Sequence, residues 1–389
     1  MTKDLDHDKK PTYQTLSRLK EAQIAIREEY FAENNNTPWI IGFSGGKDST
    51  LVAQLVIELL LDIAPGDRKR HVYILCNDTL VESPILASYI DRILERVRDA
   101  TESYGLPVSV VKTTPKIDQT FFVNLIGKGY PAPTRIFRWC TDRMKIAPTA
   151  DFIKKEIAKN GKVILLLGVR RLESAQRAVS VNRHKNTEGR LNPHDDMQGC
   201  MVFRPIVELT TDDVWLILMQ RTPPWGGTHR ELITLYRNAQ GGECPLIIDK
   251  SQAPSCGSSS SRFGCWTCTV VEKDKSMEGF IESGFEHLEP LLDFRDWLAV
   301  FRNIREKRMV TRRNGRITLM GDGVTPTLGP FTIEARKEIL ENLLKTQEKI
   351  GVPLISKEEI SQIEIYWSED IVKNAKKLIK SSAEFLTEE

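Results

Sequence analysis

Short runs of apolar, often β-branched residues alternate with longer stretches whose apolar positions recur at helical spacing. PWII (38–41), HVYILC (71–76), PVSVVKTT (107–114) and KVILLLG (162–168) have the length and composition of strands. LVAQLVIELLL (51–61), VESPILASYIDRILERVRDATESYG (81–105) and the stretch near DFIKKEIAKNG (151–161) carry the helical period. Strands this apolar, separated by helices, predict a parallel sheet covered on both faces. Such sheets bind ligands at the carboxyl ends of their strands. That rule gathers residues 44–49, Asn77 with Asp78, and 168–177 around one crevice. VFRPIVELTTDDVWLILMQR (202–221) reads as a strand, a capping pair of Thr210/Thr211 with Asp212/Asp213, and a helix with Trp215 in the core. Arg204 is a further residue placed to face a nucleotide. No internal repeat is present, and SSSSR (258–262) is the sole small-residue run.

The strand–loop–helix turn at 42–50 reads GFSGGKDST. Two glycines allow close backbone approach to a ligand, and the start of a helix offers N–H groups and partial positive charge. Lys47 adds a full charge. Ser44, Gly45, Gly46, Lys47, Asp48 and Ser49 therefore form an expected polyphosphate cradle. It is not a Walker A loop, since Ile41 and Asp48 stand where that pattern requires Gly and Ser/Thr. The string resembles the SGGxDS pyrophosphate loop of the adenine-nucleotide alpha-hydrolase superfamily, which includes N-type ATP pyrophosphatases and phosphoadenylylsulfate reductases. Directly after KVILLLG comes GVRRLESAQR (168–177). Gly168, Arg170, Arg171, Glu173 and Arg177 there suit phosphate, ribose or metal contacts, guanidinium forks matching phosphate oxygens. The segment is also similar to the GxRxxES…R stretch of phosphoadenylylsulfate-reductase-like proteins.

A formal charge of +2 over 389 residues is near neutral, so nucleic-acid contact requires a local patch. The start, MTKDLDHDKKPTYQ, is polar and charged, and the most apolar stretch (51–64) is short and carries Glu58 and Asp62. No membrane span and a cytoplasmic location are expected. In that compartment seven cysteines read as metal or catalytic sites before disulfides. Cys256, Cys265 and Cys268 have C-x8-C-x2-C spacing in a Gly/Ser-rich loop, and Cys140 in RWCTDRMK can complete a set of four. Four thiolates suit tetrahedral zinc or a [4Fe–4S] cluster, and spacing does not separate the two. The neighbouring nucleotide loop favours the cluster. Cys244 is a fifth candidate, as ligand or sulfur carrier. Cys76 and Cys200 read as buried structural thiols.

Taken together, GFSGGKDST, NDTLVESP, RWCTDRMKIAP, GVRRLESAQR, GGECP…PSCG…SRFGCWTCTVVEKDKSM and RRNGRITLMGDG…GPFTIEARKEILENLL resemble the DNA phosphorothioation sulfurtransferase family DndC, with its SspD-type relatives, from about residue 14 to 370. The resemblance implies a Rossmann-like parallel sheet of the ATP pyrophosphatase type, a cysteine-rich cluster-binding region and a helical C-terminal extension. The boundaries expected are an N-terminal helical arm (1–36), the α/β domain (37–225), the iron–sulfur region (226–275) and the helical C-terminal region (276–389). It further implies ATP, Mg²⁺ and a [4Fe–4S] cluster as cofactors. ATP would be cleaved to AMP and pyrophosphate, and a non-bridging oxygen of a DNA phosphate replaced by sulfur. Ser44, Lys47 and Asp48 would act at the nucleotide, Asp48 and Asp78 would help hold the metal, and sulfur would arrive near Cys140. The implied partners are DNA, a cysteine desulfurase and other proteins of the phosphorothioation system.

For DNA contact the densest basic stretch is IREKRMVTRRNGR (304–316), with six Arg/Lys against one Glu. SVNRHKNTEGR (180–190) is a weaker second. Three rivals remain: a reductase of adenylylated sulfate, a tRNA thiolation enzyme, and a non-enzymatic nucleic-acid scaffold with a zinc knuckle. The reductase usually has a Cys-Cys pair where this chain has Trp139–Cys140, and a cysteine beyond the position of Cys268. The thiolation enzyme calls for an RNA-binding accessory domain. The intact Ser-Gly-Gly-Lys-Asp-Ser string weighs against the scaffold.

Overall fold

Burying the apolar runs on both sides of one sheet organises the first half of the chain. The structure is a computed structural model that describes residues 11–32, 36–171, 190–239 and 263–387, with side chains described through Lys373. It divides into two compact units: Met1–Asp78, Ser83–Thr113 and Pro148–Phe263 in one, Thr79–Glu82, Thr114–Ala147 and Gly264–Glu389 in the other.

In the first unit, α1 (Tyr13–Phe31) precedes β1 (Trp39–Phe43), and α2 (Lys47–Asp62) leads to β2 (Val72–Asn77). Then follow α3 (Pro84–Ser103), β3 (Val108–Thr113), α4 (Ala147–Asn160), β4 (Val163–Leu166), β5 (Leu191–Pro193) and β6 (Cys200–Phe203). Among the described residues these strands form one sheet in the order β3-β2-β1-β4-β6-β5. The expectation of a wholly parallel sheet is corrected: β5 pairs antiparallel with β6, giving a mixed sheet with flanking helices. The other pairings are parallel, with Ile41 opposite both Ile74 and Leu166. Strand order runs outward from β1 through β2 on one side and through β4 on the other. The topological switch point therefore falls between β1 and β4, where this architecture opens a ligand crevice.

Helix α2 packs on β1, α1 and the helix Thr211–Gln220, and Leu51, Val52, Val56 and Leu60 are fully buried. Arg70, unnoticed in the sequence, is buried at the end of α1. Its guanidinium donates to the carbonyls of Tyr30 (3.1 Å), Ala32 (2.9 Å) and Thr37 (2.6 Å), satisfying acceptors that a helix end leaves open. Its cation also lies over the Trp39 ring, 5.3 Å from the centroid. The helix Thr211–Gln220 begins with a capping box between Thr210 and Asp213. Asp213 also accepts from Thr15 (2.6 Å) and Arg18 (2.7 Å) on α1. Trp215 is buried as expected, as are Cys76 and Cys200.

The second unit is largely helical, with helices Lys275–Glu282, Glu289–Phe301, Ile333–Ile350 and Lys357–Thr387. An aromatic chain fills its interior: Phe122 to Trp266 (6.1 Å), and Trp266 to Phe294 (5.7 Å). Arg336 is buried, donating to the carbonyls of Phe331 (3.0 Å) and Gly127 (2.9 Å) and pairing with Asp370 (2.7 Å).

The expected cluster-binding region is not borne out. Among the described residues, no group of three or more His, Cys, Asp or Glu is arranged to hold a metal ion. Cys244 and Cys256 lie outside the described residues. No helix among the described residues is long and apolar enough to cross a membrane.

Candidate functional site

The loop between β1 and α2 sits at the switch point. Gly45 has φ +72°, a conformation that favours glycine, and a Cβ there would meet Ile90 Cγ1 at 2.6 Å. Gly46 is the N-cap of α2 and supplies no side-chain cap. Ser49 closes the turn: its hydroxyl donates to the Gly46 carbonyl (3.0 Å) and accepts from the Ser44 amide (3.2 Å). The Ser44 and Ser49 hydroxyls are 3.2 Å apart.

Gly168, just past β4, presses on that same turn. A Cβ at Gly168 would lie 2.7 Å from the Asp48 carbonyl carbon and 2.9 Å from the Ser49 nitrogen. Glycine is thus required for the end of β4 to pack against α2. Two residues on, Arg170 is buried, and its Nε donates to Asp48 Oδ1 at 2.6 Å. Its Nη1 reaches the Thr211 hydroxyl at 2.9 Å. Lys47 Nζ binds the other oxygen of Asp48 at 3.0 Å. Asp48 is therefore clamped between two cations. A clamped carboxylate fixes both cations at the loop while leaving a net positive charge for an anionic ligand.

Sequence reasoning missed Tyr236, on the helix Arg230–Asn238. Its hydroxyl accepts from the Lys47 amide (3.4 Å), and Lys47 Nζ lies 5.4 Å from its ring centroid. No motif marks Tyr236. Thr211 was noted only for capping, and its bond to Arg170 has no sequence signature.

The remaining predicted residues divide. Asp78 leaves the end of β2, next to β1, and its carboxylate pairs with Lys112 (2.9 Å), which also holds Asp91 (2.8 Å). Arg171 turns from the loop to pair with Glu208 and lines a cleft of about 540 Å³ with Tyr13, Arg18 and Thr210. Arg204 bonds Asn192 on β5 at 2.9 Å. Glu173 and Arg177 lie outside the described residues.

Cys140, Cys265 and Cys268 belong to the second unit. Cys265 is joined to the Thr79–Glu82 segment: its sulfur is 3.4 Å from the Thr79 hydroxyl, and its backbone pairs with Glu82. Burial first, and then the Glu82 carboxylate, push Cys265 up to about 12; Lys145 opposes the shift without cancelling it. Burial, followed by Cys268, likewise raises Cys140. With no metal-holding group among the described residues, the [4Fe–4S] cofactor and the iron–sulfur enzyme class are corrected along with the cluster-binding region, and Mg²⁺ at Asp48 and Asp78 is left unsupported.

The profile of the family described as "Phosphoadenosine phosphosulfate reductase domain" matches residues 38–271, more than half of the chain. Two uncharacterized proteins of Methanocaldococcus jannaschii are similar, one 25% identical over 193 residues and the other 24% over 204. The matches cover 50% and 51% of this chain but only 34% and 41% of those relatives. Among solved structures, phosphoadenylyl-sulfate reductase from Candida auris aligns with TM-score 0.34 and 12% identity, covering 63% of this chain and 99% of the reductase. The U34-tRNA thiolase NcsA from Methanococcus maripaludis aligns with TM-score 0.32 and 15% identity, covering 67% and 90%.

Proposed function

The chain belongs to the phosphoadenosine phosphosulfate reductase domain family, and on that premise we propose that it seats the phosphates of an adenine nucleotide on Ser44–Ser49 and uses that nucleotide in sulfur chemistry. Family membership supports an enzymatic role in nucleotide and sulfur processing. The observation that carries the reading is the Lys47–Asp48–Arg170 clamp at the switch point. Lys47 and the start of α2 meet the phosphate oxygens. Arg170 and Gly168 keep the loop in place, so that charge developing on a departing phosphate meets donors already oriented toward it.

In the reductase-like form of this proposal the nucleotide is an adenylylated sulfate. In the thiolation form it is ATP, whose α-phosphate is transferred to an acceptor oxygen while pyrophosphate leaves. Product analysis tests both. ATP should yield AMP and pyrophosphate, or a sulfated adenine nucleotide with a thiol reductant should yield sulfite. ADP and orthophosphate from ATP, with no sulfite from the sulfated nucleotide, overturns the proposal.

A narrower reading, that the acceptor is a DNA phosphate, has its own support in Arg312, Arg313 and Arg316. They are exposed, and none has a carboxylate partner among the described residues. In this reading, which follows the resemblance to DndC, a cysteine desulfurase supplies sulfur and other proteins of the phosphorothioation system act on the same DNA. AMP formation stimulated by DNA and not by tRNA supports it; the reverse preference favours tRNA thiolation.

A further inference from the structure

The second unit carries an excursion, residues 308–331, that neither the nucleotide loop nor the thiols explain. It is a hairpin-like ribbon whose two limbs bond at the base and near the tip. At its base the Met309 amide donates to the Pro330 carbonyl (2.8 Å) and the Gly329 amide to the Met309 carbonyl (2.7 Å). Near its tip Thr327 bonds Thr318 (2.7 Å) and Met320 bonds Thr325 (2.7 Å). Asp322 Oδ1 closes the turn by accepting from the amides of Val324 (3.0 Å) and Thr325 (2.9 Å). Arg308 anchors the foot: its guanidinium donates to the carbonyls of Gly329 (2.6 Å) and Arg302 (2.6 Å) and lies 5.1 Å from the Phe331 ring centroid. The ribbon is held by isolated bridges at its base (Arg308 with Phe331) and near its tip (Leu319 with Pro326), a closed turn and an anchor.

Two kinds of side chain are displayed on it. Toward the tip, Ile317 (56%), Leu319 (46%), Met320 (46%) and Val324 (79%) are exposed, an unusual concentration of aliphatic surface on so narrow an element. At the foot, a cavity of about 550 Å³ is lined by Arg312, Arg313, Arg316, Arg336 and Lys373 against Glu334 and Asp370. Arg336 neutralises Asp370. Arg312 is braced across the ribbon by the Thr327 hydroxyl (3.0 Å), and Arg313 by the Lys128 carbonyl and the Tyr130 ring. The concave foot is a cationic site large enough for a nucleotide, and the convex tip is apolar.

We propose that this ribbon binds a single-stranded segment of DNA, with Arg312, Arg313 and Arg316 on its phosphates and the Ile317–Val324 tip against its unpaired bases. The inference rests on the DNA reading above and adds strandedness to it. A duplex offers phosphates to the foot but keeps its base faces stacked, leaving the tip without a partner. A single strand offers both. An anionic bilayer is the other polyanion with an apolar interior. It would meet a convex basic surface, whereas the arginines here line a concavity.

The test is fluorescence anisotropy of the full chain with a labelled 20-nucleotide DNA strand, the same strand annealed to its complement, and the same sequence as RNA, over a range of salt. Wild type should bind single-stranded DNA about tenfold or more tighter than duplex. Leu319→Ser with Met320→Ser should remove most of that preference without changing the salt slope, since no phosphate contact is lost. Arg312→Gln with Arg316→Gln should reduce the single-strand slope by roughly 1.4, about 0.7 for each phosphate contact. Equal affinity for single strand and duplex, or a tip variant that keeps the preference, overturns the proposal while leaving the DNA reading in place. Preference for RNA overturns the DNA reading, as does the absence of nucleic-acid binding by protein that still binds nucleotide. Loss of sedimentation with anionic vesicles, but not of DNA binding, in the tip variant assigns the ribbon to lipid and overturns the proposal.

Discussion

Replacing Gly168 by Ala adds one methyl group against the backbone that shapes the nucleotide loop. The added Cβ would sit 2.7 Å from the Asp48 carbonyl carbon, 2.8 Å from its oxygen and 2.9 Å from the Ser49 nitrogen. Favourable carbon–carbon separation begins near ~3.5 Å, so the first turn of α2 and the end of β4 must part by about 0.8 Å. The contacts are backbone on both sides, and no side-chain rotation relieves them. Overpacking of this kind destabilises by about 1–3 kcal/mol. The larger effect falls on the loop, because a displacement approaching 1 Å at a positioned group is worth up to about a hundredfold in rate. Nucleotide turnover should fall between about tenfold and a hundredfold, equivalent to roughly 1.4–2.7 kcal/mol. Gly66→Ala is the control, since a Cβ there meets nothing within 4 Å. Turnover and nucleotide affinity would be measured on both variants at a temperature where each is folded. A Gly168→Ala protein within twofold of wild type would refute the claim that β4 and α2 together shape the site.

Other positions test the fold that supports it. Burial pushes His229 down to about 4. Gln54 Nε2 donates to Glu58 (2.8 Å), leaving its oxygen to accept from His229 Nε2 (2.7 Å), and burial keeps the ring neutral. The folded state then binds fewer protons than the unfolded one between about pH 6.5 and 4. Stability from this site should decline by about 3 kcal/mol as pH falls through that window and level off below it. His229→Gln should flatten the decline in urea-denaturation midpoints; an unchanged slope argues against it. Arg336→Met leaves Asp370 and two carbonyls without their donor and should cost about 3–5 kcal/mol, read as a large drop in Tm. Thr210→Ala removes the cap of the helix behind Arg170 and should cost about 1 kcal/mol by the same assay.

The strands and the loop were legible because each depends on local pattern. β-branched runs between helical periods located β1 to β4, and two glycines beside Lys47 marked the turn. The antiparallel edge was not legible, since LNP is three residues with no alternation to read. Tyr236 escaped notice because its role is tertiary: a lone aromatic on a short helix gives no sign that its hydroxyl meets the Lys47 amide. Nothing in the local pattern sets Arg70 or Arg336 apart from other cations, yet both are buried among carbonyls. The cysteines taught the opposite lesson. Spacing alone suggested convergence on a metal, but no ligand group forms among the described residues, and Cys244 and Cys256 lie outside them.

Calorimetric titration of α,β-methylene-ATP into wild type and Lys47→Ala tests the central claim most directly, because the analogue cannot be cleaved between its first two phosphates and reports binding alone. A polyphosphate seated at the start of α2 draws on Lys47, whereas AMP, lacking the outer phosphates, does not. The account predicts one site on the wild type, at least about tenfold weaker in Lys47→Ala, since charge-assisted bonds contribute roughly 1.5–3 kcal/mol. AMP should bind the two proteins alike. Equal affinity of both proteins for the analogue, or no binding by the wild type, would contradict it.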